Sequence, residues 1–329
     1  MPKTKAILYL SVGPAVARMR YAPWMTREPR LFGAVEAGGT KFVCAIGNER
    51  GDILAQQRFP TTDPTATLGA THAFLRDHGR SLGILAAIGV ASFGPVELDK
   101  SSPRYGFIGL TPKAGWSGTD IAGSLARAMR VPIGFDTDVN AAALAEHRWG
   151  AGRDVRNLVY LTIGTGIGGG VLVDGAPIHG LMHPEIGHVY PRRHPLDSGF
   201  AGVCPFHGDC LEGVASGPAI VARTGASLDL LDESHSQWHI EADYLGQLCA
   251  TLVVTVSPQR IILGGGVMNQ RRLLPLIRPR LQHWLGGYID RSAILADIDR
   301  YVVAAELGDN AGVLGALALA AAAAGPAEH

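Results

Sequence analysis

Two cysteines and a histidine form a short segment with the spacing of a metal site. Two residues separate Cys204 from His207, two more separate His207 from Cys210, and the proline and glycine among them favour a tight turn. A tetrahedral zinc shell needs a fourth ligand, and His188 is the nearest well-placed candidate upstream. Because four protein ligands leave no position for water, we predict a structural zinc. A disulfide between Cys204 and Cys210, or two unrelated thiols, is the alternative.

Two glycine-rich loops have compositions that suit phosphate. Gly38-Gly39-Thr40-Lys41 offers backbone N–H groups, a hydroxyl and a positive charge, although a plain hairpin turn would look the same. Gly164-Thr165-Gly166-Ile167-Gly168-Gly169 is followed by a strand pattern, whereas a dinucleotide-binding fingerprint needs a helix there. Two such hairpins could hold a nucleotide's phosphates from both sides of a cleft. Gly264-Gly265-Gly266 could accept the adenosine end, or could be an ordinary strand-to-helix turn.

A carboxylate lies where a predicted strand ends and a helix begins. Asp138 at this position is most often a helix cap, yet the same position points into a cleft between two halves of the chain. There it could accept a proton from a substrate hydroxyl whose oxygen attacks phosphorus. Glu185, His188 and Glu212 could hold a polyhydroxylated ligand, although the two glutamates could equally be surface or supporting carboxylates. His188 could use one ring nitrogen for zinc and the other for substrate.

The elements that must position these residues alternate between strands and helices, and a glycine-bearing strand–turn–strand opens each half. In the first half we predict strands over 31–36, 42–46, 53–59, 86–91 and 131–136, and helices over 66–78, 117–129 and 138–149. In the second half we predict strands over 157–163, 170–173, 260–263 and 302–305, and helices over 213–224, 240–257, 271–285 and 311–324. Ser117 is the expected cap of the helix over 117–129. The expected fold is α/β, with two halves, a cleft between them and a hinge near 138–152.

We expect three units along the chain. An N-terminal extension over 1–30 is either poorly ordered or reflects a translation start placed too early, with Met25 as the true start. An N-terminal α/β domain covers 31–138 and is joined by the terminal helix over 311–325. A C-terminal α/β domain covers 139–310 and carries the zinc-binding insertion.

Composition excludes some classes of function. The 29 basic and 29 acidic residues cancel, and no basic block stands out, so we expect no nucleic acid and no membrane surface as partner. The apolar run over 311–324 is too short to span a bilayer. Cys44 and Cys249 are typical of buried free thiols, and the absence of a convincing secretory cleavage site favours a cytoplasmic protein.

The combined motifs resemble the ROK (repressor, ORF, kinase) sugar kinases, and within them the bacterial fructokinase branch. The motifs that carry the resemblance are the segments 36–41, 136–142, 164–170, 183–188 and 204–218, within a match over about 31–316. The resemblance implies the two-domain actin/hexokinase-like (ribonuclease H-like) ATPase fold with an inter-domain cleft. It also implies transfer of the γ-phosphoryl group of ATP to the 6-hydroxyl of D-fructose, with Mg²⁺, a structural Zn²⁺ and a homodimer.

The resemblance also assigns roles to individual positions. Asp138 matches the catalytic base of the family. The expected zinc ligands are His188, Cys204, His207 and Cys210. The expected sugar-binding residues are Gly94, Thr137, Glu185, His188 and Glu212. The expected ATP-binding residues are Gly38, Gly39, Thr40, Lys41, Gly164, Thr165, Gly166, Pro218, Gly264, Gly265 and Gly266.

Three positions depart from the wider family. Glu36 stands where most members have aspartate in the first phosphate loop. His207 stands where the glucokinase branch usually has cysteine, and Thr137 where it has asparagine, and these two changes favour fructose over glucose. A glucokinase or mannokinase is the alternative within the family. A sugar-responsive transcriptional regulator is the alternative of another class, but it needs a helix-turn-helix ahead of the sugar domain, and 1–30 shows no pair of helices.

Overall fold

The computed structural model describes residues 29–326, so the expectations for the N-terminal extension lie outside the described residues, apart from its last two positions. Ten strands form two five-stranded sheets within this part of the chain. The strands of the first sheet are β1 (Leu31–Ala37), β2 (Lys41–Asn48), β3 (Ile53–Pro60), β4 (Leu85–Ser92) and β5 (Ile133–Thr137). The strands of the second sheet are β6 (Leu158–Ile163), β7 (Ile167–Val173), β8 (Ala176–Pro177), β9 (Arg260–Gly264) and β10 (Val302–Ala304).

The two sheets share one topology. The first has the order β3-β2-β1-β4-β5, and the second, read from its other edge, has the order β8-β7-β6-β9-β10. β1 pairs antiparallel with β2 and parallel with β4, and β6 does the same with β7 and β9. The architectural repeat predicted from the sequence is therefore present, and it includes one short strand, β8, that was not predicted.

Ten α-helices surround and separate the sheets in the described residues. They are α1 (Pro64–Leu82), α2 (Ile121–Met129), α3 (Asp138–Trp149), α4 (Leu211–Ala215), α5 (Gly217–Thr224), α6 (Gln237–Val256), α7 (Leu273–Leu285), α8 (Ser292–Leu295), α9 (Ile298–Tyr301) and α10 (Ala311–Ala323). α1 and α2 pack on the outer face of the first sheet, and α6 lies with α7 outside the second. α3 and α10 lie between the sheets. We call the first sheet with α1, α2 and α10 the first half, and the second sheet with α4 to α9 the second half.

Glycines allow the inner helices to approach the sheets closely. A Cβ on Gly89 of β4 would overlap the carbonyl oxygen of Ala316 in α10, and one on Gly170 of β7 would overlap that of Val139 in α3. Because neither strand carries a side chain there, each helix backbone packs directly on a strand. This packing fixes the first turn of α3, where Asp138 lies.

Two predicted helices differ from those observed. The helix predicted over 117–129 begins at Ile121, because Asp120 rather than Ser117 accepts the hydrogen bond from the Gly123 N–H. The helix predicted over 213–224 is two helices, since Ser216 ends α4 and its hydroxyl caps α5. Within residues 29–326, none of the helices combines the length and the apolar character that crossing a bilayer requires.

Candidate active site

Two adjoining cavities lie between the first and second halves. The larger has a volume of about 570 Å³ and the smaller about 240 Å³. Both are lined by Glu36, Lys41, Thr162 and Gly266, so they form one continuous cleft. The ends of β1 and β6 meet there, as expected when two sheets of the same topology face each other.

The larger cavity brings together most residues predicted to bind the nucleotide. Its walls include Gly38, Thr40 and Lys41 from the β1–β2 turn, Gly164 and Thr165 from the β6–β7 turn, and Pro218 and Gly266. Gly39 and Gly166 belong to the same two turns without lining either cavity. The N-terminus of α5 is joined to the second turn, because the Gly217 N–H donates to the Gly164 carbonyl at 2.8 Å. The two turns, the N-terminus of α5 and one lysine therefore surround a space that suits phosphates.

The turn after β9 shows why glycine is needed in this wall. Gly265 has φ +88°, a left-handed conformation, and a Cβ there would overlap the backbone of Ile163. Gly264, Gly265 and Gly266 line the smaller cavity together with Asp138. The three predicted glycines thus lie beside the candidate base rather than at a remote turn.

Asp138 is the first residue of α3, and it is not the cap of that helix. Thr137 is the cap, because its hydroxyl accepts from the Asn140 N–H at 3.1 Å. Within residues 29–326, Oδ1 of Asp138 accepts one hydrogen bond, from the adjacent Val139 N–H at 2.9 Å. Burial raises the pKa of Asp138 to about 6, and the neighbouring carboxylate of Glu185 adds to the rise. The carboxylate is therefore poised to gain or lose a proton near neutral pH.

Thr137 is buried and lines neither cavity of the cleft. Its exposure is 2%, and its hydroxyl is occupied by the helix cap. A direct contact between this hydroxyl and a sugar would require the cap to open. The geometry therefore does not favour the predicted sugar-binding role of Thr137.

Glu36 faces the base from the end of β1. Burial raises its pKa to about 7, against the opposing charge of Lys41, and the charge of Asp138 adds to the rise. Its Oε2 atom is buried and has no hydrogen-bond partner among residues 29–326. A Cβ on Gly312, near the start of α10, would lie 2.8 Å from Glu36 Cγ, so the glycine makes room for the longer side chain.

The predicted sugar-binding glutamates lie on the other side of Asp138. Burial raises the pKa of Glu185, and the charge of Glu212 raises it further, which places the two carboxylates near each other. Oε2 of Glu212 accepts from the Ile167 N–H at 3.0 Å, at the base of the β6–β7 turn. Gly94 lies near the segment that carries Glu185, since His183 Cε1 would lie 3.4 Å from a Cβ at Gly94. The structure thus brings Gly94, Glu185 and Glu212 close together, although none of them lines either cavity.

The four predicted metal ligands form one cluster. The ligand atoms of His188, Cys204, His207 and Cys210 all lie within 4.8 Å of one another. The two histidine Nδ1 atoms are 3.3 Å apart, and nitrogen–sulfur distances are 3.5 to 3.8 Å. Zinc bonds of about 2.0 Å to nitrogen and about 2.3 Å to sulfur set tetrahedral nitrogen–nitrogen and nitrogen–sulfur separations of about 3.3 and 3.5 Å. The cluster therefore fits a tetrahedral zinc ion.

The disulfide alternative is wrong, because Cys204 and Cys210 are both free thiols. Cys44 and Cys249 are also free and buried, as predicted. The Nδ1 atoms of both cluster histidines face the sulfurs, which leaves Nε2 of His188 for another contact.

Three polar residues near Asp138 and Glu185 in the sequence were not predicted to belong to the site. Asp136 is 2% exposed; its Oδ1 accepts from Asn140 Nδ2 at 2.7 Å, and its Oδ2 lies 2.9 Å from His179 Nε2. His183 is 6% exposed and reaches the loop after β4. Both histidines precede Glu185 in a segment that joins the two halves, and their partners are far away in sequence. The only signal in the sequence concerned Asp136, which lies two residues before Asp138.

Comparisons with known proteins agree with this architecture. A model of the ROK family matches residues 32–323. A fructokinase of Zymomonas mobilis subsp. mobilis is 44% identical over 302 residues, which cover 91% of this chain and 99% of the relative. A fructokinase of Pediococcus pentosaceus is 43% identical over 293 residues, which cover 89% of this chain and 98% of the relative.

A solved structure agrees as well. A ROK hexokinase from Thermus thermophilus aligns with a TM-score of 0.72 and 25% identity, over 88% of this chain and 97% of that one. The expected actin/hexokinase-like fold is confirmed. Because the family model matches nearly the whole described chain, and the repeated sheets and their cleft agree with it, this protein belongs to the ROK family.

Proposed function

We propose that this protein is a fructokinase, which uses ATP to phosphorylate the 6-hydroxyl of D-fructose. Two fructokinases that are 43% and 44% identical over most of the chain support this substrate. The observation that carries the proposal is the position of Asp138, which shares a cavity wall with Lys41 and Gly264 to Gly266. Transfer of a phosphoryl group to a hydroxyl requires such a base beside a phosphate-binding space.

In the proposed mechanism, Asp138 accepts the proton of the sugar hydroxyl as its oxygen attacks the γ-phosphorus. Its pKa of about 6 leaves the carboxylate mostly ionised at pH 7, ready to accept that proton. Lys41 and the N–H groups of the two turns hold the phosphates in line, which lowers the barrier mainly by positioning and by neutralising charge. Glu185, Glu212 and His188 orient the sugar hydroxyls, with Gly94 close to them.

Magnesium and zinc would have different tasks in this site. The unpartnered Oε2 of Glu36 fits a position near Mg²⁺, which would neutralise phosphate charge when ATP is bound. The tetrahedral cluster of His188, Cys204, His207 and Cys210 fits a structural Zn²⁺. These four residues would fix the segment that carries Glu185, and with it the sugar side of the cleft.

The proposed domains agree with the packing. The terminal helix α10 packs on β1 and β4, which supports its assignment to an N-terminal domain over 31–138 with 311–325. The C-terminal domain would cover 139–310. The predicted hinge near 138–152 falls on α3, which contacts both halves. A homodimer and a cytoplasmic location remain predictions, and light scattering on purified protein tests the dimer.

A panel of hexoses with coupled detection of ADP tests the proposed function. We expect fructose to have the highest kcat/KM, with glucose and mannose at least about tenfold lower. The phosphorylated carbon is then identified by NMR of the product. A preference for glucose or mannose would replace the fructokinase assignment with another sugar kinase, and no turnover with any hexose would overturn the kinase proposal.

A further inference from the structure

The segment that leads from β8 to Glu185 bridges the two halves through two histidines. We call residues 178–185 the strap. His179 Nε2 lies 2.9 Å from Oδ2 of Asp136, at the end of β5 in the first half. His183 Nε2 accepts a hydrogen bond from the Val96 N–H at 3.2 Å, in the loop after β4. The strap thus begins on the second sheet and makes two polar contacts with the first half.

His183 lies between two residues that are expected to contact the sugar. Its ring would be 3.4 Å from a Cβ on Gly94, so any side chain at that position would press on the ring. Its Nδ1 lies 3.4 Å from Oε1 of Glu185. Gly94 belongs to the first half and Glu185 to the second, so one buried imidazole touches both sides of the sugar site.

The hydrogen bond from Val96 fixes the tautomer of His183. Because Nε2 accepts from the Val96 N–H, it carries the lone pair, and the neutral ring has its hydrogen on Nδ1. That hydrogen lies on the side that faces Glu185. Burial lowers the pKa of His183, which keeps the ring neutral at neutral pH. The ring therefore presents an acceptor to one half and a donor to the other.

We propose that His183 is a positioning residue for the sugar site, which sets the separation between the Gly94–Val96 loop and Glu185 and thereby determines affinity for the hexose. This inference rests on the proposed function. It does not make His183 a catalytic residue, because the ring is buried behind Gly94 and Glu185. The role predicts an effect on sugar binding that leaves nucleotide binding and the chemical step nearly unchanged.

Three variants separate this role from plain core packing. His183→Ala removes both contacts. His183→Gln can place its carbonyl oxygen near the position of Nε2 and accept from Val96, whereas His183→Asn is too short to do so. We expect Ala and Asn to raise the fructose KM about 10- to 100-fold, because each leaves a buried N–H unpaired in the sugar loop. Gln should stay within about threefold of wild type.

The nucleotide side provides an internal control. The KM for ATP should change by less than about twofold in all three variants, and kcat by less than about threefold, since His183 lines neither of the cavities formed by Asp138 and the phosphate turns. Calorimetric titration of fructose without nucleotide should show the same order of affinities. Zinc content and the thermal midpoint report whether each variant is folded.

His179→Ala is the matched control, because it removes a histidine of the same strap that also contacts the first half. It should raise the fructose KM less than His183→Ala does. An equal rise of the fructose KM in both variants would overturn the specific role of His183. The two histidines would then only hold the strap against the first half. If wild type phosphorylates fructose but His183→Ala and His183→Asn keep its KM, this inference fails while the fructokinase assignment stands.

Discussion

The two halves have the same strand topology and differ in the length of chain between their third strand and their next helix. In the first half, β3 ends at Pro60 and α1 begins at Pro64. In the second half, β8 ends at Pro177 and α4 begins only at Leu211, and this insertion carries the strap and the metal cluster. In the proposed function, the shared topology supplies the two hairpin turns that face the nucleotide, and the insertion supplies Glu185 and His188 of the sugar site. We therefore infer that nucleotide binding depends on the repeated strands, whereas sugar recognition depends largely on the insertion.

The two hairpin turns also differ from each other. The β1–β2 turn carries Lys41, and Glu36 lies just before it. The β6–β7 turn has no charged residue of its own; Glu212 holds its base through the Ile167 N–H. We infer that the first turn neutralises phosphate charge, and that the second contacts the phosphates mainly through its backbone.

We expect the largest effect from a substitution in α3, which lies between the halves. Asp138→Asn removes the base but keeps the size of the side chain, so we expect kcat to fall at least about 100-fold. Fructose affinity should change little, as measured by calorimetry. Turnover near that of wild type would show that Asp138 is not the base. The proposed mechanism would then lack the residue that connects the nucleotide side with the sugar side.

The same variant should be more stable than wild type. The pKa of Asp138 is raised from 3.8 to about 6, so the native state binds more protons than the unfolded chain between these values, and stability falls as pH rises through this window. The ionised carboxylate is therefore destabilising at pH 7. Asn should raise the thermal midpoint by about 2–5 °C at pH 7 and by less at pH 4.

Removing the metal tests whether the insertion depends on zinc. Cys204→Ser, or treatment with a chelator, should lower the thermal midpoint and weaken fructose binding about tenfold or more, because the proposed zinc would hold the segment with Glu185. Elemental analysis should give one zinc per chain in wild type and less than half in the variant. Cys249→Ala is the control, since this buried thiol lies outside the cluster and its loss should leave the zinc content unchanged. Absence of zinc from freshly purified wild-type protein would contradict the site.

The contrast between the two turns can be sharpened by one substitution in each. Lys41→Ala should raise the KM for ATP about 10- to 50-fold, because it removes the positive charge that lines both cavities. Thr165→Ala should raise it about fivefold or less, since the second turn contributes mainly backbone groups. The fructose KM is the internal control and should stay within about twofold. Equal effects on the ATP KM would contradict the inference that the first turn acts through its charge and the second through its backbone.

The smallest effect should come from the space that accommodates Glu36. Gly312→Ala would place a methyl group against the Glu36 side chain and displace its carboxylate, which should lower kcat about three- to tenfold. Glu36→Asp shortens the side chain by one methylene and should relieve the clash. We therefore expect the double variant to be more active than Gly312→Ala alone, with circular dichroism confirming an unchanged fold. Additive losses would contradict a shared cavity.

The repeat and the metal cluster could be predicted because their signals are local. Hairpin loops and the Cys204–Cys210 spacing are read within a few residues, and the structure confirms the pairing of strands and the grouping of the ligands. The cap of α2 was misplaced because Ser117 and Asp120 both suit a helix start, and the Gly123 N–H selects Asp120. His183 could not be identified, because its partner Val96 is distant in sequence and belongs to the other half.

The return of the chain to the first sheet has a consequence for biosynthesis. α10, which is formed by residues 311–323, covers β1 and β4, which are synthesised well before it. The inner faces of these strands, with Phe32 and Ala34, lack this cover until residues 311–323 have been synthesised. The half that is made first is therefore finished last, and a chain that stops short of 311 would lack the cover of its own opening strands.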